Sequence, residues 1–406
     1  MYGEVSLTAL GLLLVLLTWR THRWLRRAVE PRRPAGRLQR YPSVTVVRPI
    51  KGLDAGAAEN IRCALATGYP GRVETLFVFD DADEPAIPLV REAIRDRRAA
   101  DQSVDARVVF CGQPPAGRTG KLNAMIVGLR QAKGTLVAFA DSDIRPDRRV
   151  LTELVETLMR QEGAGAAFAP VVATQEPRSA GDAGYALLLN GLYGAAAAAA
   201  TRREGGALPF IMGQYMVFKR EAIEAIGGLE AADGQLVDDM FLGACLNANG
   251  YRNVVAATQV PIIQEGLSPK EFASVYRRWI TFSRTGLPGW SFKSISVLHG
   301  VIFWLGLVGA LVALVQGMWL AAAINGLAPL VLGESINRLH EALGGAPLGW
   351  RWRWVVPALL LAAPLVYLSI FSRRKVVWRG RSYELNAESR LRSPDLPDPV
   401  GGSQAA

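Results

Sequence analysis

Three stretches of this chain are too apolar for a soluble surface. Residues 5–19 contain only Ser6, Thr8, Thr18 and the ring nitrogen of Trp19 as polar groups. Residues 297–332 are nearly free of charge and long enough for two short spans turning near Gln316-Gly317, and residues 355–371 supply material for another. A spanning helix needs about 20 apolar residues, so the first stretch is slightly short.

Between these stretches the period changes. Residues 43–50 (SVTVVRPI) are a buried-strand run, followed by a loop with Gly52 and Asp54 and a helical stretch to Ala66. Strand patterns recur at 73–79, ending in Asp80, Asp81 and Asp83, at 106–110, and at 135–140, ending in Asp141-Ser142-Asp143. Helical patterns fall between them at 85–98, 121–133 and 147–161. Strands alternating with helices of this length predict a mostly parallel α/β sheet, with ligands at the carboxyl ends of its strands. Both acidic clusters sit at such ends.

Charge orients this picture. The 406 residues are 50% hydrophobic and 20% charged, with a formal net charge of +10, which excludes a disordered chain and a bare membrane bundle. Residues 20–40 hold eight arginines against Glu30, directly after the first apolar run. Glu4 precedes that run, so it is not a cleaved signal peptide, and the positive-inside tendency puts the body of the chain in the cytoplasm. No nucleic-acid motif or aromatic interleaving accompanies the arginines, so nucleic acid is not the expected partner. Arg373, Arg374, Lys375, Arg379 and Arg381 form a second basic cluster suited to cytoplasmic headgroups, which conflicts with an odd number of C-terminal spans. The three cysteines, Cys63, Cys111 and Cys245, are scattered, excluding a disulfide scaffold and a zinc ribbon and fitting a reducing cytosol. His22, His299 and His340 have no metal-ligand spacing, Cys245 reads as packing, and Gly163–Gly165 and Gly205-Gly206 read as turn glycines.

Asp141 and Asp143 are the sharpest chemical signal. Two carboxylates at i and i+2 after a buried strand can turn toward one point if the backbone bends, and a hard cation completes its shell with phosphate oxygens and water. That suits a metal–diphosphate site, although acids at strand ends are also ordinary loop residues.

The order of motifs extends this. Arg48-Pro49-Ile50-Lys51-Gly52-Leu53-Asp54 is followed by Asp81-Ala82-Asp83, Gly120-Lys121-Leu122-Asn123, Asp141-Ser142-Asp143, Gly213-Gln214, Gly227-Gly228-Leu229, Asp238-Asp239, Arg278-Trp279 and Trp378-Arg379-Gly380-Arg381. The series resembles the ceramide glucosyltransferases of glycosyltransferase family 21 and the related bacterial hopanoid glycosyltransferases, within the family 2-like GT-A enzymes. The resemblance covers about residues 40 to 290 plus the anchor layout. It implies a GT-A, Rossmann-like catalytic domain, a UDP-sugar donor, a lipid acceptor and a Mg²⁺ or Mn²⁺ cofactor. By the same resemblance Asp81 contacts the nucleotide, Asp141 and Asp143 hold the metal and diphosphate, and Lys121 lies beside the nucleotide. Asp239 matches the base, and Arg278 and Trp279 match the end of a (Q/R)-x-x-R-W element. The first position of that element is Val275, so either Arg277 supplies the missing guanidinium or the acceptor contact differs. Asp238 and Arg277 are accordingly assigned to the acceptor side.

Chemistry supports these roles, and simpler readings stand beside several. Displacing a diphosphate needs its charge neutralised, and the attacking hydroxyl must lose a proton, which suits a carboxylate whose pKa burial raises. Asp238 and Asp239 also suit the cap of a helix over 240–249. Arg278 and Trp279 suit a membrane interface, Lys121 a solvated helix face, and Asp54 either a nucleotide contact or a cap. Residues 183–201 (AGYALLLNGLYGAAAAAAT) are a core helix or a wall facing a lipid acceptor, with 272–284 as an amphipathic interfacial helix.

The expected division is an anchor at 1–20, a basic linker at 21–40, the catalytic domain at 41–267, an interfacial helix at 268–292, membrane helices at 295–372, and a basic, then disordered tail at 373–406. The expected activity is inverting transfer from a UDP-sugar, UDP-glucose first, to ceramide or a hopanoid alcohol at a bacterial inner membrane. A processive polysaccharide synthase and a non-catalytic tethered binding protein are the alternatives.

Overall fold

The structure is a computed structural model that describes residues 2–287, 293–372, 375–386 and 390–392. In chain order the helix α1 (Tyr2–Ala28) leads to β1 (Val44–Pro49), α2 (Ala57–Leu65), β2 (Val73–Phe79), α3 (Ile87–Ala100), β3 (Asp105–Phe110), α4 (Gly120–Gln131), β4 (Leu136–Ala140) and α5 (Val150–Arg160). Then follow β5 (Ala164–Phe168), β6 (Val171–Val172), α6 (Ala180–Ala186), α7 (Ala195–Arg203), β7 (Ala207–Leu208), β8 (Tyr215–Lys219), α8 (Arg220–Ala225), α9 (Asp238–Ala248), β9 (Arg252–Val255) and β10 (Val260–Pro261). The chain ends with α10 (Pro269–Gly286), α11 (Ser294–Val315), α12 (Trp319–Ala342), α13 (Val355–Ser372), β11 (Lys375–Trp378) and β12 (Arg381–Glu384).

The four strands expected from the apolar runs form one half of an eight-stranded sheet of order β3-β2-β1-β4-β8-β5-β9-β7. β3, β2, β1 and β4 are mutually parallel, whereas β8 enters antiparallel between β4 and β5. Consecutive residues of β2, β4 and β5 are buried without alternation, as a sheet covered by helices on both faces requires. Strand order reverses between β1 and β4, so a crevice opens beyond their carboxyl ends. Asp141 and Asp143 lie there.

The membrane-type helices differ from expectation in length. α1 continues past the apolar run through the arginines to Ala28, 27 residues or about 40 Å. Arginine is a good helix former, and Leu25, Ala28 and Val29 are buried against Leu339, Leu343, Ala195 and Ala199. Among the described residues five helical stretches are long and apolar enough to cross a membrane: Tyr2–Ala28, Ala180–Arg203, Ser294–Val315, Trp319–Ala342 and Trp350–Ser369. The break between α11 and α12 falls at 316–318, with Gly317 at φ +72 as the expected turn. α12 runs ten residues beyond the expected Leu332 to Ala342 because its last turns pack inward rather than against lipid.

The uncharged stretch at 183–201 is a buried wall. Residues 180–203 form one helical run whose centre, Leu187–Gly194, is π-helical. At that centre Asn190 is fully buried, accepting from the Ala173 N–H at 3.0 Å, donating to the Ala173 C=O at 2.8 Å, and lying 3.1 Å from His340 Nδ1. Its small residues let neighbours close in: a Cβ on Gly184 would meet Phe272 of α10 at 2.6 Å, and one on Gly191 would meet Ile336 of α12 at 2.7 Å. The run therefore clamps the catalytic sheet onto the membrane-type helices.

α10 begins at Pro269, beside the expected boundary at 268, because Ser268 and Glu271 form a reciprocal capping box with Pro269 in the first turn. Arg373, Arg374, residues 288–292 and the tail from Ser393 lie outside the described residues. In the rest of the second basic cluster Lys375 is exposed, and β11 and β12 form an antiparallel hairpin that returns to the catalytic domain. Arg379 and Arg381 point into the crevice instead, where carboxylates pair them.

Candidate active site

The floor of the crevice is built by one buried cation. Arg48, at the end of β1 and 1% exposed, donates through Nη2 to the carbonyls of Ser142 (3.3 Å) and Ile144 (2.8 Å) in the loop after β4. Asn60 of α2 donates to Ala55 O at 3.2 Å and to the same Ser142 carbonyl at 3.3 Å, and accepts from Arg145 Nε at 3.1 Å. These bonds bend the loop after β4, the condition for two carboxylates at i and i+2 to share one point.

Asp141 accepts an ion pair from Lys121 Nζ at 2.6 Å, and its N–H donates to Gln214 O at 2.9 Å. Lys121 stands in the first turn of α4, whose cap is Thr119 accepting from Leu122 N at 3.1 Å. Only 14% of its side chain is exposed, so it is not on a solvated face. Burial alone would lower its pKa, but Asp141, Asp238 and Asp239 hold the ammonium above its ordinary value. Asp143 has one oxygen, Oδ1, sealed from solvent with no hydrogen-bond partner among the described residues. Its carboxyl is pushed up to about 6 by burial and by Asp141, against the pull of Arg379.

Asp238 and Asp239 open α9 across the crevice. Asp239 Oδ2 accepts from the Gly213 N–H at 2.6 Å, and Oδ1 accepts from the Met240 N–H at 2.8 Å. Gly213 must lack a side chain here, since a Cβ would lie 2.4 Å from Asp239 Oδ2. Asp238 is 3% exposed, accepts from the Asp239 N–H at 2.9 Å through Oδ1, and has Oδ2 sealed with no partner among the described residues. Burial pushes it up to about 6, Lys121 opposing and Asp239 adding to the shift. Burial raises Asp239 as well. Helix capping and a poised carboxylate thus coexist.

The loop after β2 departs from expectation. Asp81 is exposed, its Oδ1 accepting from the Asp83 N–H at 3.0 Å, whereas the preceding Asp80 is 6% exposed and faces the crevice. Asp80 Oδ2 lies 2.8 Å from Lys51 Nζ and 2.9 Å from Arg381 Nη2. Lys51 also pairs with the buried Glu84, whose other oxygen accepts from the Gly52 N–H at 2.9 Å. Asp54 accepts from Ser142 Oγ and pairs with Arg379, whose Nη2 lies 3.6 Å from Asp143 Oδ2.

The remaining assigned residues lie on α10. Trp279 packs into an aromatic group with Tyr185 (5.2 Å between ring centroids) and Tyr193 (5.8 Å), against both the catalytic core and the membrane-type helices. It is partly buried in that group. Burial lowers the Arg278 pKa, with Tyr185, Arg379 and Asp143 in its electrostatic surroundings. Burial, then the charge of Asp143, pushes the Tyr185 hydroxyl up. Arg277 turns the other way and donates to Lys375 O at 3.3 Å.

The structure thus brings together Asp54, Lys121, Asp141, Asp143, Asp238, Asp239 and Arg278, leaves Asp81 outside, and gives Arg277 to the hairpin. It adds Arg48, Lys51, Asp80, Tyr185, Arg379 and Arg381. Asp80 ends a buried strand by pattern alone, and Arg379 and Arg381 stand in a conspicuous Trp-Arg-Gly-Arg string, but their partners are hundreds of positions away.

Known proteins share this architecture. The profile of the family described as Glycosyl transferase family 21 matches residues 5–391. Ceramide glucosyltransferase 3 of Caenorhabditis elegans is 23% identical over 372 residues, covering 85% of this chain and 73% of the relative. Ceramide glucosyltransferase 1 of the same nematode is 23% identical over 382 residues, covering 90% and 77%. Among solved structures, mannosyltransferase PcManGT from Pyrobaculum calidifontis, determined with GDP-Man and Mn²⁺, superposes with a TM-score of 0.54 at 22% identity, covering 90% of this chain and 98% of that one. That likeness shows the fold: the α/β sheet with its added helices is a GT-A arrangement.

Proposed function

This chain belongs to glycosyl transferase family 21 and is a glycosyltransferase, and from that premise we propose that it moves a sugar from a UDP-sugar, UDP-glucose first, to the hydroxyl of a membrane lipid, ceramide first, with inversion at the anomeric carbon. One observation carries the reading: Lys121 pairs with Asp141 at the end of β4 and faces the charges of Asp238 and Asp239 at the start of α9, beside an aromatic wall continuous with the membrane-type helices.

A divalent cation, Mg²⁺ or Mn²⁺, fits the residues present. Among the described residues no group of three or more metal-ligating side chains is ready-made, so Asp141 and Asp143 would hold it together with diphosphate oxygens and water. The sealed Asp143 Oδ1, which has no hydrogen-bond partner among the described residues while Oδ2 stands 3.6 Å from Arg379, is the atom such an ion would satisfy. When bound, the ion neutralises charge on the departing diphosphate.

The chain's own groups supply the rest. Lys121 holds Asp141 and keeps positive charge beside the diphosphate. Arg278, in a dry surround, offers a guanidinium whose attraction for phosphate is strengthened by exclusion of water. Asp239, oriented by the Gly213 and Met240 N–H groups, takes the proton of the acceptor hydroxyl, with Asp238 beside it. Trp279, Tyr185 and Tyr193 offer an apolar approach along which a lipid reaches that base without leaving the membrane boundary. The eight arginines of residues 20–40 favour the cytoplasmic side for the catalytic face.

The test is UDP release by detergent-purified full-length protein with Mg²⁺ or Mn²⁺, across UDP-sugars, with ceramide or a hopanoid alcohol added. Release from one donor that depends on ceramide is expected. Dependence on the hopanoid alcohol alone would change the acceptor, a ladder of long products would indicate a polymerase, and lipid-independent release would sink the lipid reading.

A pH dependence follows from the acidic pair. Transfer needs Asp239 ionised, and burial raises its carboxyl above the ordinary value of about 4, as it does the neighbouring Asp238. Activity is therefore lost as pH falls through a value above that ordinary one. The acid limb of kcat/KM should lie above about pH 4 and move to lower pH in Asp238→Asn, which removes the adjacent carboxylate. A limb at or below about pH 4 in wild type would contradict it.

A further inference from the structure

The hairpin β11–β12 lies 325 positions from Asp54 in sequence, yet its turn fills the crevice. Arg379 spans two carboxylates, pairing with Asp54 and standing 3.6 Å from Asp143. Arg381 donates to Asp80 at 2.9 Å and to Gln113 Oε1 at 2.6 Å. The Gly120 N–H, at the start of α4, donates to Tyr383 Oη at 3.3 Å, and a Cβ on Gly120 would lie 1.9 Å from the Arg381 guanidinium. Val376, Leu385 and Leu391 are buried with Leu236 and Val237, the two residues directly before Asp238-Asp239. Arg379 itself has φ +52, a left-handed conformation uncommon outside glycine, followed by Gly380 at φ +74. Both guanidiniums are thus carried on a tight turn seated by an apolar plug. No step assigned so far uses them.

Arginine forks match carboxylates and phosphates alike, so a residue that neutralises carboxylates in an empty site can transfer to a diphosphate when a cation takes those carboxylates. We propose that the hairpin is the closing wall of the donor site: Arg379, anchored by Asp54, stands in for the cation at Asp143 while the site is empty, and Arg379 and Arg381 grip the donor's diphosphate once it is filled. The proposal rests on the nucleoside-diphosphate-sugar reading above. It makes two signed statements about one residue. Removing Arg379 takes a competitor away from the cation and a ligand away from the diphosphate.

The experiment measures binding, not turnover, with the full-length protein in detergent. Mn²⁺ binding is followed by electron paramagnetic resonance without nucleotide, and UDP and uridine binding by calorimetry with Mn²⁺ present. Arg379→Gln should bind Mn²⁺ severalfold more tightly than wild type in the absence of UDP. Both Arg379→Gln and Arg381→Gln should bind UDP about 10- to 100-fold more weakly, the size expected for hydrogen bonds to a charged group, with uridine unaffected. Arg379→Lys and Arg381→Lys, which keep the charge and the hairpin's ion pairs, should fall between wild type and Gln. UDP and Mn²⁺ affinities equal to wild type in both Gln variants would overturn the proposal and make the hairpin structural. Equal loss of UDP and uridine would overturn it too, as general damage. Wild-type protein that binds another nucleoside diphosphate in place of UDP would end the UDP reading alone, the same signs then being expected with that nucleotide. Wild type binding none would end both.

Discussion

Replacing Asp239 with asparagine is expected to lower turnover by roughly 10²- to 10⁴-fold, the range for loss of a general base, while donor affinity changes by less than about threefold. The geometry makes this substitution clean. Two backbone N–H groups, from Gly213 and Met240, fix the carboxylate and leave its remaining lone pairs for a hydroxyl. An amide keeps the shape and loses the basicity, and sets its NH₂ against one of those donors. Parallel measurement of kcat and of UDP binding by calorimetry separates the two quantities. Full turnover in Asp239→Asn would move the base to Asp238, whose sealed Oδ2 has no partner among the described residues. Asp238→Asn belongs in the same series for that reason.

Asp141→Ala is expected to lower turnover about 10³-fold or more and to abolish the cation's effect on the protein, because charge neutralisation of the leaving group by a bound cation is worth several kcal/mol. The same change strips Lys121 of its 2.6 Å partner and leaves it to Asp238 and Asp239, drawing their charge away from the acceptor. Stability supplies a second readout. A ligand at 100 times its dissociation constant stabilises the folded state by about 2.7 kcal/mol, so wild type should melt at a clearly higher temperature with Mn²⁺ and UDP together than without. Asp141→Ala should show little of that rise. A variant that keeps both the rise and the turnover would remove Asp141 from the donor site.

Much of this protein is written locally in its chain. Runs rich in apolar residues specify β1, β2 and β4, whose observed bounds match the sequence reading to within one residue at each end, those of β2 coinciding. They do so because a strand buried on both faces is mostly apolar, and polar exceptions inside β1 and β2 are paired, Thr45 with Glu74 and Glu74 with Arg107. The same rule puts Asp141 and Asp143 past β4, and the Gln316-Gly317 break between two apolar runs is legible for a related reason, glycine reaching φ +72 without strain.

Other features have no local signature. Asp80 and Asp81 are adjacent and chemically alike. Only the pairing of β2 with its neighbours turns Asp80 inward to Lys51 and Arg381 and leaves Asp81 in water. Arg48 reads as a charged residue in a strand and is in fact the buried strut of the loop carrying the metal pair, because its Nη2 donates to two carbonyls of that loop. Ala180–Arg203 has the composition of a membrane span, yet its small side chains admit α10 and α12 so closely that it becomes an inner wall. Arg379 and Arg381, basic residues after an apolar helix, carry the local pattern of a headgroup anchor. Strand pattern, caps and turns depend on residues within a few positions, so the sequence by itself determined β1 to β4, half of the catalytic sheet, and the carboxylates at their ends. Which charge meets which across the crevice depends on burial and on partners hundreds of positions apart, and that only the tertiary structure decided.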